Sequence, residues 1–398
     1  MAGCCPSSRR SASLFAPALA STGARQWRAD RESWNPVRLD RSLVLTKQYE
    51  PLRSAEGGFL PKQFDVAHDI CFVIHDAMCA ILADGEAGDF FKHRLAFRDE
   101  AMSASFDASD DTIEWLLKNG LNEDVAKILK CVTFPAVLSD MLHCLYEALE
   151  CSRKAKLNVT YMLLRKPLQE GLYVLEEIVI SLDDFANKLR TKPLALRAER
   201  AGGIDAHAAR IAAVLEVLRS EVRFSPRRLA ELRYDKALGF DGMCNQAMHL
   251  FTEHQAIRTE LMNINFVFSG PAEKQEQWSY LYAHLPYLLD YMRLVVDNIA
   301  HGMALLDPRY QEDLQRKVSA LMCLWAAWAD PAAFDEALAV HAYDHHAWLH
   351  THCERHGYKD LDYIDMRAMA HGGFVGEAPA VRRIRKRREG KPWKRRRS

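Results

Sequence analysis

The sequence has few of the residues that interrupt regular structure and none of the short motifs that identify common enzyme classes. Only 19 glycines and 15 prolines occur in 398 residues, whereas alanine and leucine dominate the periodic segments, a composition that favours an all-α protein. Gly-rich phosphate loops, nucleophile elbows and zinc-finger spacings are absent. No common nucleotide-binding, hydrolase or zinc-finger class is therefore indicated by a motif.

Paired cysteines are also missing. None of the ten cysteines forms a Cys-x-x-Cys motif, and the spacing argues against a disulfide framework in a chain of this length. Half of them lie inside helical patterns, where a free thiol behaves as a small apolar residue: Cys71, Cys79, Cys144, Cys151 and Cys323. The short apolar run 14–20 is broken by Pro17 and is a weak export signal. We therefore expect a cytoplasmic protein.

The sequence also lacks a long apolar run without charge. No stretch reaches the roughly 18 consecutive apolar residues that indicate a membrane-spanning helix. The helix predicted over 278–306 carries Asp290, Arg293 and Asp297. We therefore predict no membrane span.

What the sequence does contain is strong helical periodicity, clearest over residues 134–189. In its first half, apolar residues recur at the spacing of one helix face: Leu138, Met141, Leu142, Leu145 and Leu149. The second half carries two parallel apolar rows, so its helices need cover on most sides. We expect this stretch to form the centre of a helical domain.

The predicted fold is an all-α, multi-helical bundle with disordered termini at 1–60 and 373–398. A weak linker near 192–205, with Lys192-Pro193 and Gly202-Gly203, suggests two packed helical subdomains, 61–191 and 206–372.

Individual helices are predicted over 63–82, 90–104, 123–131, from Thr133 or Pro135 onward, and over 244–262. The last two helices have matched starts, because Asp307-Pro308 and Asp330-Pro331 each place a capping acid before a proline.

Histidines are concentrated on the last long helix, where six of the chain's 16 fall between 341 and 356. On a helix, His341, His345, His352 and His356 lie along one stripe. Imidazoles at i and i+4 can share a divalent metal, and Asp344 or Cys353 could add a ligand. Four ligands spread over four turns cannot reach one ion, so a second helix would have to contribute. The alternative is a helix whose histidines are partly buried and hydrogen-bonded.

A second polar cluster is the sequence's candidate catalytic site: His249, Glu253, His254, Arg258 and Glu260. On one helix, histidine beside glutamate could act as a general base and arginine could hold a phosphate, which would suit a nuclease or other hydrolase. The alternative is an internal polar network that fixes helix packing.

Arg200 and His207 offer a different arrangement for such a hydrolase. They match the loose Arg-x4-6-His spacing of the helical HEPN ribonucleases, but Gly202-Gly203 lies between them where that family has a helix. We do not take this single match as a family resemblance.

Two further polar patterns are interpreted as solvated helix faces. The first is the pair of His-Asp dipeptides at 68–69 and 75–76, which could instead hold a metal or relay protons. The second comprises Asp140, His143, Glu147 and Glu150, which resemble half of a carboxylate metal site but have no Glu-x-x-His partner elsewhere.

The charge is unevenly distributed, although Lys and Arg together equal Asp and Glu at 53 each. Residues 382–397 contain 11 basic side chains and one acid, so residues 1–381 carry 42 basic and 52 acidic groups. The predicted nucleic-acid contacts are Arg382, Arg383, Arg385, Lys386, Arg387, Arg388 and Trp393. The leading hypothesis is an interaction module with this basic tail, followed by the hydrolase and the metal-binding protein. No cofactor or oligomeric state is indicated.

Overall fold

The computed structural model of the chain describes residues 49, 51–52, 58–304, 306–329, 334–359, 361–377, 380 and 383. Within these ranges the regular structure is helical and contains no strand. The prediction of an all-α, multi-helical fold is thereby confirmed. The predictions made for residues 1–48 and for most of the basic tail lie outside the described residues.

The helices are numbered here in chain order. They are α1 (Asp65–Ala87), α2 (Glu100–Asp107), α3 (Thr112–Lys118), α4 (Asn122–Arg153), α5 (Leu157–Arg165), α6 (Leu172–Ile180), α7 (Leu182–Thr191), α8 (Ile204–Leu218), α9 (Pro226–Tyr234), α10 (Phe240–Met248), α11 (Pro271–His301), α12 (Pro308–Trp328), α13 (Glu336–Arg355) and α14 (Tyr363–Ala370). A π-helical turn, Lys166–Gly171, joins α5 to α6.

The core forms around residues 134–189, the stretch with the clearest helical periodicity. All five leucine and methionine positions of its first half are buried in α4, and α1, α11 and α12 contribute many further buried apolar side chains. One continuous core includes residues from Tyr49 to Val375, in both predicted subdomains. A second, small cluster surrounds Trp115. The boundary between subdomains stays a prediction.

The predicted helix starts hold where a capping acid is described. Asp307 accepts a hydrogen bond from the Arg309 amide at the start of α12. Asp330 and Pro331 lie outside the described residues, but Phe334 and Asp335 are described and not helical, so the prediction of one helix from Pro331 to about His356 was wrong in its start. The described helix α13 begins at Glu336, where Asp335 accepts from the Leu338 amide. Aspartate is a favoured N-cap because its carboxylate satisfies an amide that has no partner inside the helix.

Three other helix predictions were wrong in extent. The helix expected over 90–104 begins only at Glu100, and α4 runs without a break through Pro135 instead of forming two helices. Proline removes one backbone donor, but Phe134 and Leu138 are fully buried, and tertiary packing stabilises a helix more than local propensity does.

The helix expected over 244–262 ends at Met248. An irregular loop follows, in which side chains replace the helical hydrogen bonds. Asn265 donates to the His249 carbonyl at 2.9 Å, and the Thr252 amide donates to Thr259 Oγ1 at 2.8 Å. Threonine and asparagine compete with helix formation in this way because their short side chains reach nearby backbone groups. The loop therefore has its own internal scaffold.

Two helices, Lys62–Ala87 and Asn122–Arg153, are long and apolar enough to cross a membrane by length and composition alone. Neither is the helix predicted over 278–306, which carries Asp290, Arg293 and Asp297. In the first, 67% of the apolar window is buried in the protein, whereas in the second the share is 28%. Burial explains the apolar character of the first helix, and the absence of a membrane span stays a prediction.

Candidate metal centre

The four histidines predicted as metal ligands divide into two pairs along α13. His341 and His345 face Asp290 of α11, whereas His352 and His356 lie near Glu312 of α12. The pairs are separated because His345 and His352 are two helical turns apart, about 10 Å along the axis. In each cluster a second helix supplies the carboxylate.

The first cluster has the dimensions of a metal site. Asp290 Oδ2 lies 3.1 Å from His345 Nε2 and 3.4 Å from His341 Nε2, and the two nitrogens are 3.2 Å apart. Ligands held about 2.1 Å from one ion lie about 3.0 Å apart at right angles and about 3.4 Å apart in a tetrahedron. In the plane of the three atoms, the point equidistant from them is about 1.9 Å from each, close to the usual bond lengths of such ions.

The outer nitrogens of both histidines have partners that orient the rings. His341 Nδ1 lies 3.2 Å from the Arg223 carbonyl oxygen, and His345 Nδ1 lies 2.9 Å from Ser319 Oγ. A carbonyl only accepts, so His341 carries its proton on Nδ1 and, when neutral, presents a bare lone pair at Nε2. Outer partners of this kind fix the tautomer of metal-binding histidines.

Arg293, three residues further along α11, helps to hold Asp290 as a carboxylate. Burial alone would raise the pKa of Asp290, but Arg293 and the two histidines hold that pKa well below its usual value. Arg293 donates to Oδ1 at 2.9 Å and 2.8 Å and also to Asp297 at 3.0 Å. With Oδ1 bound to arginine, Oδ2 faces the imidazoles. Asp290, Arg293 and an ionised Asp297 would together carry one negative charge.

The cluster is buried in the interior of the protein. Asp290, His341 and His345 are all fully buried, and the Phe224 and Tyr287 rings pack 4.5 Å and 4.9 Å from the His341 ring. Burial lowers the pKa of His345 to about 4, so its imidazole is neutral near pH 7. Neutral imidazole is the form that binds metals.

Without an ion, the three inner atoms have too few protons. When His341 is neutral, its Nε2 and Asp290 Oδ2 are both acceptors, and the neutral ring of His345 can offer a single proton at Nε2. That proton can be shared between them only in a bifurcated bond, and a buried acceptor left unpaired is destabilising. Either a second proton or a metal ion therefore completes the cluster.

The second cluster lies at the surface and is less tightly built. Glu312 reaches His352 Nδ1 at 3.2 Å, and Trp348 stacks on the His352 ring at 5.0 Å. His352 is buried, but Glu312 and His356 are exposed. An exposed carboxylate beside histidine is common in the absence of a metal. Asp344 and Cys353, suggested as additional ligands, contact Arg223 and Met369 instead.

The predicted catalytic residues lie in the irregular loop after α10, so their helical pairing was wrong. His249, Glu253, His254, Arg258 and Glu260 are all exposed. His254 accepts a hydrogen bond from the Ala256 amide in a short turn. The loop forms because Thr252, Thr259 and Asn265 hydrogen-bond across it, which removes the i to i+4 neighbours on which the proposed acid-base pairs depended. A catalytic role for these residues stays a prediction.

Arg200 and His207 differ sharply in their surroundings. Arg200 is exposed in a short 3₁₀ turn, Ala198–Arg200. His207 is buried and stacks on Tyr234, with 3.7 Å between the ring centroids. Its pKa is lowered to about 4 by burial and by the neighbouring arginines 233 and 210.

The His-Asp dipeptides at 68–69 and 75–76 on α1 were predicted to lie on a solvated helix face, and this prediction was wrong for three of the four residues. His68, Asp69 and His75 are buried. Asp69 accepts from the Tyr49 hydroxyl at 2.8 Å, and His68 Nδ1 lies 2.7 Å from the Tyr282 hydroxyl. The segment around Tyr49 and α11 cover this side of α1, which sequence periodicity could not indicate. On α4, by contrast, the second polar set is mostly exposed, as predicted.

Asp290, Arg293 and Ser319 are the functional candidates that sequence reasoning missed. The charges at 290 and 293 were noted only as an argument against a membrane span. They were nevertheless a usable signal, because charged residues in the middle of an apolar helix are expensive to bury unless they are paired or bind an ion. Of the predicted nucleic-acid contacts, Arg383 is described and exposed, and the other six lie outside the described residues.

Comparisons of the chain with protein family models, with curated proteins and with solved structures found no match.

Proposed function

We propose that this chain is a helical metal-binding protein that holds one divalent transition-metal ion between Asp290, His341 and His345. The observation that carries the proposal is the convergence of three potential ligand atoms, 3.1 to 3.4 Å apart, in a fully buried place. Two imidazoles and one carboxylate suit iron, zinc and related first-row ions.

The ion would join α11 to α13, and α12 would supply outer support through Ser319. Because such a site does not exist in the unfolded chain, the free energy of metal binding adds to the free energy of folding. The full burial of the three ligands favours an ion that stabilises the fold over one that is open to a substrate. The ion is therefore proposed as a structural element of the bundle.

The test is elemental analysis of the purified full chain, combined with thermal unfolding before and after chelation. The expected result is about one first-row ion per chain and a lower melting temperature after the ion is removed. The matched variant is His345→Gln, which removes the ligand nitrogen and keeps a polar side chain. Wild-type protein that takes up no zinc, iron, cobalt or manganese during refolding, at any concentration that leaves it soluble, would overturn the proposal.

We also propose that the basic tail binds nucleic acid, a second function that the charge of the sequence supports. Eleven basic side chains against one acid in residues 382–397 form the kind of segment that attracts phosphates. The two proposals are independent, because the metal centre lies in the helical body.

Binding of single-stranded RNA and duplex DNA to the full chain would be measured at several salt concentrations. The comparison is a variant in which arginines 382, 383, 385, 387 and 388 are glutamine. Wild type is expected to lose affinity steeply with salt, and the variant is expected to bind weakly with a shallower slope. Equal affinity and equal salt slope for the two proteins would overturn this second proposal.

A further inference from the structure

An open cleft between α1 and α4 contains a cysteine beside a histidine, far in sequence from the proposed metal ligands. The cleft has a volume of about 680 Å³, and its lining includes His75, Cys79, Phe91, Leu142 and Tyr146. Cys79 is partly exposed. A thiol that opens onto a cavity of this size is accessible to a small molecule.

The surroundings of His75 favour the doubly protonated ring. His75 Nε2 lies 3.2 Å from the Leu142 carbonyl oxygen, and Nδ1 lies 3.1 Å from Asp76 Oδ1. Both neighbours accept hydrogen bonds, so an imidazolium, which donates from both nitrogens, satisfies them together. Burial alone would lower the pKa of His75, but the hydrogen bonds to Asp76 and Cys79 raise it to about 9.

Cys79 is one turn from His75 along α1 and faces the same ring. Its sulfur lies 3.8 Å from Nδ1 and 3.7 Å from Nε2. A positively charged imidazole beside a cysteine sulfur stabilises the thiolate, which is the nucleophilic form. The other charged or titratable groups that line the cleft are Glu86 on α1 and His143, Tyr146 and Glu147 on α4, all exposed.

We propose that Cys79 is a reactive cysteine that His75 activates toward small, neutral, apolar electrophiles of the α,β-unsaturated carbonyl class. The cleft lining is apolar at Leu82, Phe91 and Pro135, whereas two glutamates, Glu86 and Glu147, disfavour an anion. An uncharged electrophile therefore suits the cleft better than a carboxylate or a phosphate does.

The reaction is a conjugate addition that needs no other reactant. The starting state is the Cys79 thiolate beside the His75 imidazolium, and the thiolate attacks the β-carbon of the electrophile, so that a carbon–sulfur bond forms. The π electrons of the carbon–carbon double bond move to the carbonyl oxygen as an enolate. The His75 imidazolium returns the proton to the α-carbon, which leaves a neutral thioether and a neutral histidine.

The chain provides its own controls, because Cys144 and Cys151 are also partly exposed. Burial is the main cause that raises the pKa of each of these two thiols, so both are expected to react slowly. The experiment exposes the full chain to limiting N-ethylmaleimide at pH 7 and follows each cysteine by peptide mass spectrometry. Cys79 is expected to react at least about tenfold faster than either control cysteine.

The variant Asp76→Asn removes the carboxylate that supports the imidazolium and leaves the buried ring in place. It should slow Cys79 severalfold while leaving Cys144 and Cys151 unchanged. His75→Asn should slow Cys79 further, and circular dichroism would establish that each variant is folded. The proposal is overturned if Cys79 reacts no faster than the control cysteines, or if folded Asp76→Asn protein labels Cys79 at the wild-type rate.

Discussion

Asp290 and Glu176 are both fully buried carboxylates of the same helical core, and yet their surroundings differ. Glu176 receives hydrogen bonds from Arg233, Arg210 and the Tyr291 hydroxyl, so both of its oxygens have cationic partners. Asp290 has one arginine on Oδ1, and its other oxygen faces two imidazoles. Since the two groups share burial and charge, the chemistry of their partners distinguishes their roles.

The difference indicates which buried carboxylate is a structural ion pair and which is a candidate ligand. Burial would raise the pKa of Glu176, but Arg233 and Arg210 lower it to about 2. Two permanent cations leave no need for a metal ion and would repel one. At Asp290 the free oxygen faces the Nε2 atoms of two imidazoles, which can release a proton and bind a metal ion instead. Only this second arrangement attracts a cation.

The largest expected effect on stability comes from replacing Glu176. Glu176→Gln would leave the fully buried Arg233 without a carboxylate partner and Arg210 with Glu177 alone, and it should reduce the free energy of unfolding by about 3 to 5 kcal/mol. Urea titration of the chelated protein measures the change. Metal content per folded chain should stay at the wild-type value, and a variant that loses its metal would show that the two networks are coupled.

Acid should weaken the Glu176 network in a defined pH window. The folded pKa of Glu176, about 2, lies below the ordinary glutamate pKa of 4.5, so the unfolded chain binds the extra proton. The stabilisation is therefore fully present above about pH 4.5 and is lost as the pH falls toward 2, with a total on the order of 3 kcal/mol. The measurement is the stability difference between metal-free wild type and Glu176→Gln, which should shrink across this window. A constant difference would contradict the assignment.

Replacing a ligand should affect the metal and leave the Glu176 network intact. His345→Gln is expected to weaken metal binding by more than about 100-fold. At a metal concentration about 100 times the wild-type dissociation constant, wild type should gain about 2.7 kcal/mol of stability and the variant almost none. Calorimetric unfolding with and without metal measures both gains. An equal gain in the two proteins would place the ion elsewhere.

The sequence predicted two of the three proposed ligands and could not predict the third. His341 and His345 were identified because i and i+4 spacing is visible in one dimension. Asp290 lies 55 residues from His345, and its position opposite that ring depends on how α11 packs against α13. Apolar periodicity predicted most of the helices, but it did not register the irregular stretch 90–99 or the continuity of α4 through Pro135. It also did not register the loop that the side chains of Thr252, Thr259 and Asn265 form.

Ser319 contacts a proposed ligand and is not itself a ligand, so its replacement should reduce metal affinity less than replacement of a ligand does. Ser319→Ala removes the hydroxyl 2.9 Å from His345 Nδ1 and leaves all three proposed ligands in place. Metal affinity is expected to fall by about 10- to 100-fold, without loss of the metal at saturating concentration. A competition titration against a chelator of known affinity measures the change, and Ser319→Thr, which keeps the hydroxyl, is the matched comparison. Equal affinities for alanine and wild type would remove Ser319 from the centre.

The smallest effect is expected at the surface cluster on the same helix. His356 is exposed and lies near an exposed glutamate, where an ion would compete with water for every ligand. His356→Ala should therefore change the free energy of unfolding by no more than about 0.5 kcal/mol and leave the tightly held metal unchanged. Elemental analysis after extensive dialysis is the measurement. If this variant lost the ion and His345→Gln retained it, the surface cluster would be the true centre, and the buried histidines would be hydrogen-bonded core residues.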